Sequence, residues 1–323
     1  MKAFQAQSLS SLEDYDFIDA PKPEAKAGEI RVAIKACGVG HVDALVAVGK
    51  YPAKPRVPHI PGIEIAGVVD AVGAGVNALA VGDRVLALGV GGGGFAEYAV
   101  VPAAMTAKLP GGVSFVEAAA LRVTYMTALY ALRELAKLKT GETLLVIGCG
   151  SAVGIAAVQT GKLMGANVIA VAGTEEKRAF AKACGADHVL DNEPEGFEDR
   201  LAQIGGTVDV VFDPVGRRLF EQSYRSLSVQ GRHLVVGSEN EVGAVAPVEF
   251  TRGKATLMRV GMRMFMMQRT AEYMGLLREL LMMVDERKIV PVIDRKFPLD
   301  EAREALAFVL SGEVAGKTVL EIA

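Results

Sequence analysis

The segment ETLLVIGCGSAVGIAAVQTGKLMGANVIAVAGT holds the densest chemical signal of the chain. An apolar strand pattern runs into a turn bearing Gly148, Gly150, Val153 and Gly154, and a helical pattern follows. Glycines in such a turn let the backbone approach a pyrophosphate. The start of the helix adds free N–H groups and the positive end of its dipole. Gly148 suits the turn itself and Gly154 the packing of helix on strand, with five residues between them. Glycines alone would also fit an ordinary tight strand-to-helix turn. The second strand pattern, NVIAV, favours a dinucleotide site.

That second strand ends in Ala172-Gly173-Thr174, where an NAD site usually carries Asp or Glu for the ribose hydroxyls. Neither is present. Lys177 and Arg178, one turn into the next helix, offer positive charge for a 2′-phosphate, so NADPH is expected rather than NADH. Glu175 and Glu176 weaken that choice on charge, but behind a Thr174 cap they also complement the N-terminal dipole of the helix.

These residues need a framework. With 323 residues the chain is long enough for two domains. Hydrophobic residues make up 51% and charged residues 23%, and 35 Lys and Arg face 38 Asp and Glu, which argues against disorder and against nucleic acid as main partner. Cys37, Cys149 and Cys184 are too few and too scattered for a disulfide framework, so a reducing cytoplasm is expected. MKAFQAQSLS has no apolar signal core, and no run reaches the roughly 18 apolar residues of a membrane helix. A soluble protein with no membrane partner is expected.

From Met1 to about Met105, short β-rich segments are broken by Gly and Pro, which predicts a mostly antiparallel β domain. After Glu117 helical and strand patterns alternate, as βαβ units and a parallel sheet require. The spacing predicts a helix over 115–138, broken near Arg122 or Val123, then strand 143–147 and helix 153–164. Strand 168–172, helix 175–184 and strands 208–212 and 233–236 follow. Helices over 269–287 and about 300–312 and a last strand, KTVLEI, read as a return to the first domain. The expected fold is α/β, with a β domain from 1–124 and 262–323 and a doubly wound, Rossmann parallel-sheet domain from 125–261.

The ordered motifs ACGVGHVDALVAVGKYP, PGIEIAGVVDAVG, VGDRV, FAEYAVVP, EAAALRVTYMTALYAL, GCGSAVG and DVVFDPVG resemble the medium-chain dehydrogenase/reductase superfamily. Within it the chain is similar to the zinc-free NADPH:quinone oxidoreductases of the zeta-crystallin type. The resemblance implies a GroES-like β domain made from both chain ends around a Rossmann domain, and a homodimer. One departure is Ser151-Ala152 where that family has a central Gly-Gly. Zinc-dependent relatives draw ligands from GVCH-like and GHE segments; here Gly40 and Ile63 stand at the Cys and His places, and no zinc is expected.

Without zinc, the acceptor has to tolerate its own charge. Hydride addition to a simple ketone makes an alkoxide, which a metal would normally stabilise. A quinone gives a phenolate-like anion, whose parent acid has a pKa of about 10 by analogy with Tyr. The expected activity is hydride transfer from NADPH to a quinone; reduction of a 2-alkenal or enoyl C=C bond and non-catalytic NADPH binding are the alternatives.

By resemblance, a cleft between the domains holds the nicotinamide, and the sequence matches at Asp43, Tyr51 and Thr127. Tyr51 is expected to hydrogen-bond the acceptor oxygen or to give a proton through water; the bland alternative is a packed loop Tyr. Thr127 suits the nicotinamide amide, or simple helix back-bonding. Asp43 suits orientation of the loop that carries His41. Gly237 and Ser238 fall beside the nicotinamide in the family layout. Met262, Met264, Met266 and Met267 suit an apolar substrate wall, or core and dimer packing. Cys149, in the phosphate turn, reads either as a thiol activated by the helix start or as inert packing. His59, His188 and His233 read as structural.

Overall fold

The computed structural model describes residues 1–52, 54–89, 91–216, 218–237 and 255–323. Its contacts divide the chain into Met1–Val123 with Ala271–Ala323, and Thr124–Thr270.

The first unit begins with the antiparallel pair β1 (Lys2–Ala6) and β2 (Tyr15–Asp19). Strands β3 (Glu29–Val39), β4 (Glu64–Val72), β5 (Arg84–Leu88), β6 (Tyr98–Pro102) and β7 (Thr106–Lys108) follow. In β3 every second side chain, Ile30, Val32, Ile34 and Ala36, is buried. This period of two is the strand signature of a sheet with one face on the core.

The helix predicted over 115–138 is interrupted. Phe115–Ala118 is a short helix capped by Ser114, Thr124–Leu129 is a second, and Tyr130–Leu135 winds as a π-helix. At the break the Val123 N–H donates to the Glu64 carboxylate at 2.7 Å.

The second unit holds β8 (Thr143–Ile147), β9 (Asn167–Val171), β10 (His188–Leu190), β11 (Val208–Asp213), β12 (Leu227–Val236) and β13 (Thr256–Val260). They pair in parallel in the order β10-β9-β8-β11-β12-β13. The strand order reverses between β8 and β11, the switch point where doubly wound sheets take ligands. Leu144, Leu145, Val146 and Ile147 are all buried, as expected for a strand covered on both faces. The helix Met262–Gln268 belongs to this unit, with Phe265 stacked on Tyr130 at 4.1 Å between ring centres.

The chain then rejoins the first unit through the helix Thr270–Asp285, β14 (Ile293–Pro298), the helix Ala302–Ser311 and β15 (Lys317–Glu321). The resulting sheet runs β14-β15-β3-β4-β5-β7, with β6 also on β3; only the β14–β15 pair is parallel. Pairing of Thr318 with Val39 sets Lys317 next to Gly40. Among the described residues, no helix is long and apolar enough to cross a membrane.

Candidate active site

The turn after β8 is built on Gly148, whose φ of +67° is a left-handed backbone that other residues rarely adopt. Ser151 caps the helix Ala152–Leu163: its hydroxyl accepts from Gly154 N at 3.2 Å and donates to the Gly148 carbonyl at 2.8 Å. A Cβ on Gly154 would stand 2.4 Å from that carbonyl oxygen, so only Gly lets the helix start sit this close to the turn. Val153 is half-buried in the first turn of the helix.

Lys177 is brought to the same turn. A Cβ on Gly150 would fall 2.5 Å from Lys177 Cδ, so the lysine stem crosses the glycine face. Thr174 caps the helix Glu175–Ala183 and accepts from Lys177 N, while Glu175 and Glu176 point outward as exposed residues. Arg178 donates to the carbonyls of Ala172 and Gly173, which holds its guanidinium at the end of β9. Gly237 closes β12 with a φ of +103°; Ser238 lies outside the described residues.

Cys149 is buried, and burial pushes its thiol up to about 12. Of the two sequence readings this favours packing, because only the thiolate is reactive. His59 is satisfied by Tyr15, whose hydroxyl lies 2.8 Å from Nδ1 in the core.

The first unit holds a buried polar cluster of Asp43, Glu64 and Lys317. Gly40 has no side chain to cap the helix His41–Ala47; Asp43 does so from within, accepting from Gly40 N at 2.9 Å. Its other oxygen accepts from Gly62 N at 3.1 Å. Burial pushes the Asp43 carboxyl up to about 6, against the pull of these N–H groups and of Lys317. Glu64 takes the Lys317 ammonium on one oxygen and the Val123 N–H on the other. A Cβ on Gly40 would stand 3.7 Å from Lys317 Nζ and 3.1 Å from Asp43 Oδ2.

Tyr51 is half-buried, and its N–H donates to the Leu45 carbonyl, tying it back to the helix that Asp43 caps. Asp43 and Tyr51 thus belong to one helix-and-loop segment of the first unit. Thr127 is buried on Thr124–Leu129 in the second unit, to which the nucleotide turn also belongs. Met264 and Met267 are exposed on their helix.

Lys317 received no role in the sequence analysis, although a Lys and a Glu in the otherwise apolar runs KTVL and PGIEIAGVV were visible signals. Arg122 is a second such residue: fully buried, it donates to Tyr273 Oη at 2.9 Å and to the Met105 carbonyl at 2.6 Å.

The side chains at the zinc positions do not fit a zinc ion. Gly40 and Ile63 offer no donor, the Lys317 ammonium lies nearby, and among the described residues no three His, Cys, Asp or Glu side chains converge as metal ligands.

A six-stranded parallel sheet with this turn, together with a GroES-like unit, defines a medium-chain dehydrogenase/reductase. Residues 26–111 match the alcohol dehydrogenase GroES-like domain, and residues 184–320 match the zinc-binding dehydrogenase family. The chain is 30% identical over 305 residues to human quinone oxidoreductase, covering 94% of this chain and 92% of that protein. Escherichia coli quinone oxidoreductase complexed with NADPH has a similar structure, at 28% identity and TM-score 0.91 over 99% of this chain and all of the other. So does an NAD-dependent alcohol dehydrogenase, at 30% identity and TM-score 0.91 over the full length of both. The chain belongs to the quinone oxidoreductase family of the medium-chain dehydrogenase/reductase superfamily.

Proposed function

We propose that the protein is a zinc-independent NADPH-dependent reductase that transfers hydride to an electron-poor conjugated acceptor, a quinone first. The observation that carries this reading is the Lys317 ammonium standing 3.7 Å from where a Cβ on Gly40 would be, the position at which zinc-dependent relatives carry a ligand. With a buried ammonium there, the site favours acceptors that delocalise charge on their own. The match to human quinone oxidoreductase supports the same acceptor class.

NADPH bound at the turn supplies a hydride from C4 of its nicotinamide. Gly148, Gly150, Val153 and Gly154 hold the pyrophosphate by close backbone approach and helix N–H groups. Lys177 meets the 2′-phosphate, with Arg178, Gly173 and Thr174 shaping the ribose pocket. Gly237 flanks the nicotinamide, and Thr127 positions its amide. Tyr51 hydrogen-bonds the acceptor oxygen or passes a proton to it through water, while Asp43 holds the loop on which Tyr51 sits. The complex with NADPH formed by the Escherichia coli relative supports this choice of cofactor.

The proposed partners are a small quinone or enone and a second copy of the chain. β13 is the outer strand of its sheet among the described residues, and Met264 and Met267 are exposed on the helix just after it. Neither nucleic acid nor membrane is a proposed partner. The three free thiols suit the cytoplasm.

Tyr51 also supports a second reading, reduction of the C=C bond of 2-alkenals or enoyl thioesters, where proton delivery to carbon adds to the barrier. NADPH consumption on a matched panel of o- and p-quinones and 2-alkenals, with products identified, tests both. Turnover confined to quinones is the expected result; saturated aldehyde promotes the second reading. Tight NADPH binding with no turnover would leave a non-catalytic binding protein.

A further inference from the structure

Asp213 ends β11, and His233 lies on the neighbouring β12, with both side chains fully buried. Asp213 Oδ2 faces His233 Nε2 at 3.4 Å. Its other oxygen accepts from Val215 N at 2.9 Å and from Gly216 N at 2.8 Å, which fixes the turn Pro214-Val215-Gly216. A carboxylate facing Nε2 places the ring hydrogen on that nitrogen, since two lone pairs would otherwise oppose each other. The imidazole lies against Phe220 at 4.7 Å between ring centres, and its Nδ1 has no hydrogen-bond partner.

This dyad reaches the nucleotide turn through the side chains of Val215 and Pro214. A Cβ on Gly148 would stand 2.6 Å from Val215 Cγ2 and 3.7 Å from Pro214 Cγ. The turn that Asp213 holds is therefore the wall against which Gly148 packs. A buried carboxylate is stable only when donors surround it, and His233 is the side-chain donor that completes the set.

We propose that His233 is a positioning residue for the dinucleotide: through Asp213 it fixes the Pro214–Gly216 wall of the Gly148 turn, and so sets nucleotide affinity rather than the rate of hydride transfer. The inference rests on the assignment of NADPH to this turn. It departs from the sequence reading of His233 as structural, because packing alone requires the ring and not its Nε2 hydrogen.

Two variants separate these roles. His233→Phe keeps a ring against Phe220 but donates nothing to Asp213, whereas His233→Gln gives up the ring and keeps an N–H. Calorimetric titration with NADPH is expected to show Kd about threefold to tenfold higher for His233→Phe, the equivalent of one lost hydrogen bond. kcat at saturating NADPH stays unchanged, and His233→Gln restores most of the affinity. The reverse order, with Gln weaker than Phe, overturns the proposal, as does a folded His233→Phe protein with wild-type Kd.

Should His233→Phe fail to fold, Val215→Ala tests the same wall from its half-exposed side. Raised Kd with unchanged kcat supports the wall, and wild-type Kd overturns it. Wild-type protein that binds no NADPH would instead remove the cofactor assignment, and this inference with it.

Discussion

Lys317 places its ammonium against the Glu64 carboxylate with only 4% and 1% of the two side chains exposed. In that setting neither charge has water to fall back on, and the pair stands or falls together. Lys317→Met leaves Glu64 buried and uncompensated, at an expected cost of about 3–5 kcal/mol. Adding Glu64→Gln, which keeps an oxygen for the Val123 N–H, is expected to recover most of it. Chemical denaturation of the single and double variants checks this; equal losses in both would show that the charge is not the cause.

Asp43 carries a pH signature of its own. Burial raises its carboxyl from an ordinary 3.8 to about 6 in the folded protein. Between those values the folded state holds a proton that the unfolded chain has released. Its contribution to stability is therefore complete below 3.8 and is lost as pH rises through about 6. Asp43→Asn is expected to flatten the pH dependence of the urea midpoint over that window, and a slope identical to wild type would point to another group.

Lys177, whose stem lies across Gly150, is the residue assigned to the 2′-phosphate. Loss of a charge-assisted hydrogen bond is worth about 1.5–3 kcal/mol, so Lys177→Ala is expected to lower the preference for NADPH over NADH by about tenfold to a hundredfold. kcat/KM for the two cofactors reads this directly. An unchanged ratio would rule out the 2′-phosphate assignment.

Tyr51 separates the two acceptor classes. If its hydroxyl delivers a proton, Tyr51→Phe slows turnover of enones by about a hundredfold. Quinone reduction, whose product anion is far less basic, is expected to change little. A variant that loses little turnover on enones would count heavily against the proton-delivery role.

Much of the framework is legible in the sequence, because strands such as TLLVI and NVIAV are apolar throughout and the turns between them carry Gly. β10 and β13 are not legible there: β10 has only three residues, and both draw their partners from the sheet rather than from their own periodicity. The nucleotide turn could be read because its parts are contiguous. The polar cluster could not, since Glu64 and Lys317 are 253 residues apart and meet only through β3, β4 and β15. The helix break near Val123 shows both sides of this. Its place could be read locally, but its cause, a carboxylate 59 residues earlier, could not.

The seam between β3 and β15 also gives an order to biosynthesis. β3 leaves the ribosome early, the first half of one edge is covered soon after by β6, and β15 emerges nearly the whole chain later, so only the 36–39 stretch of that edge stays open throughout elongation. The parallel sheet, drawn from one uninterrupted stretch, can close while the remainder is still being translated. Glu64 and Asp43 meet their ammonium only when Lys317 emerges, so the polar cluster of the first unit is among the last parts of the nascent protein to assemble.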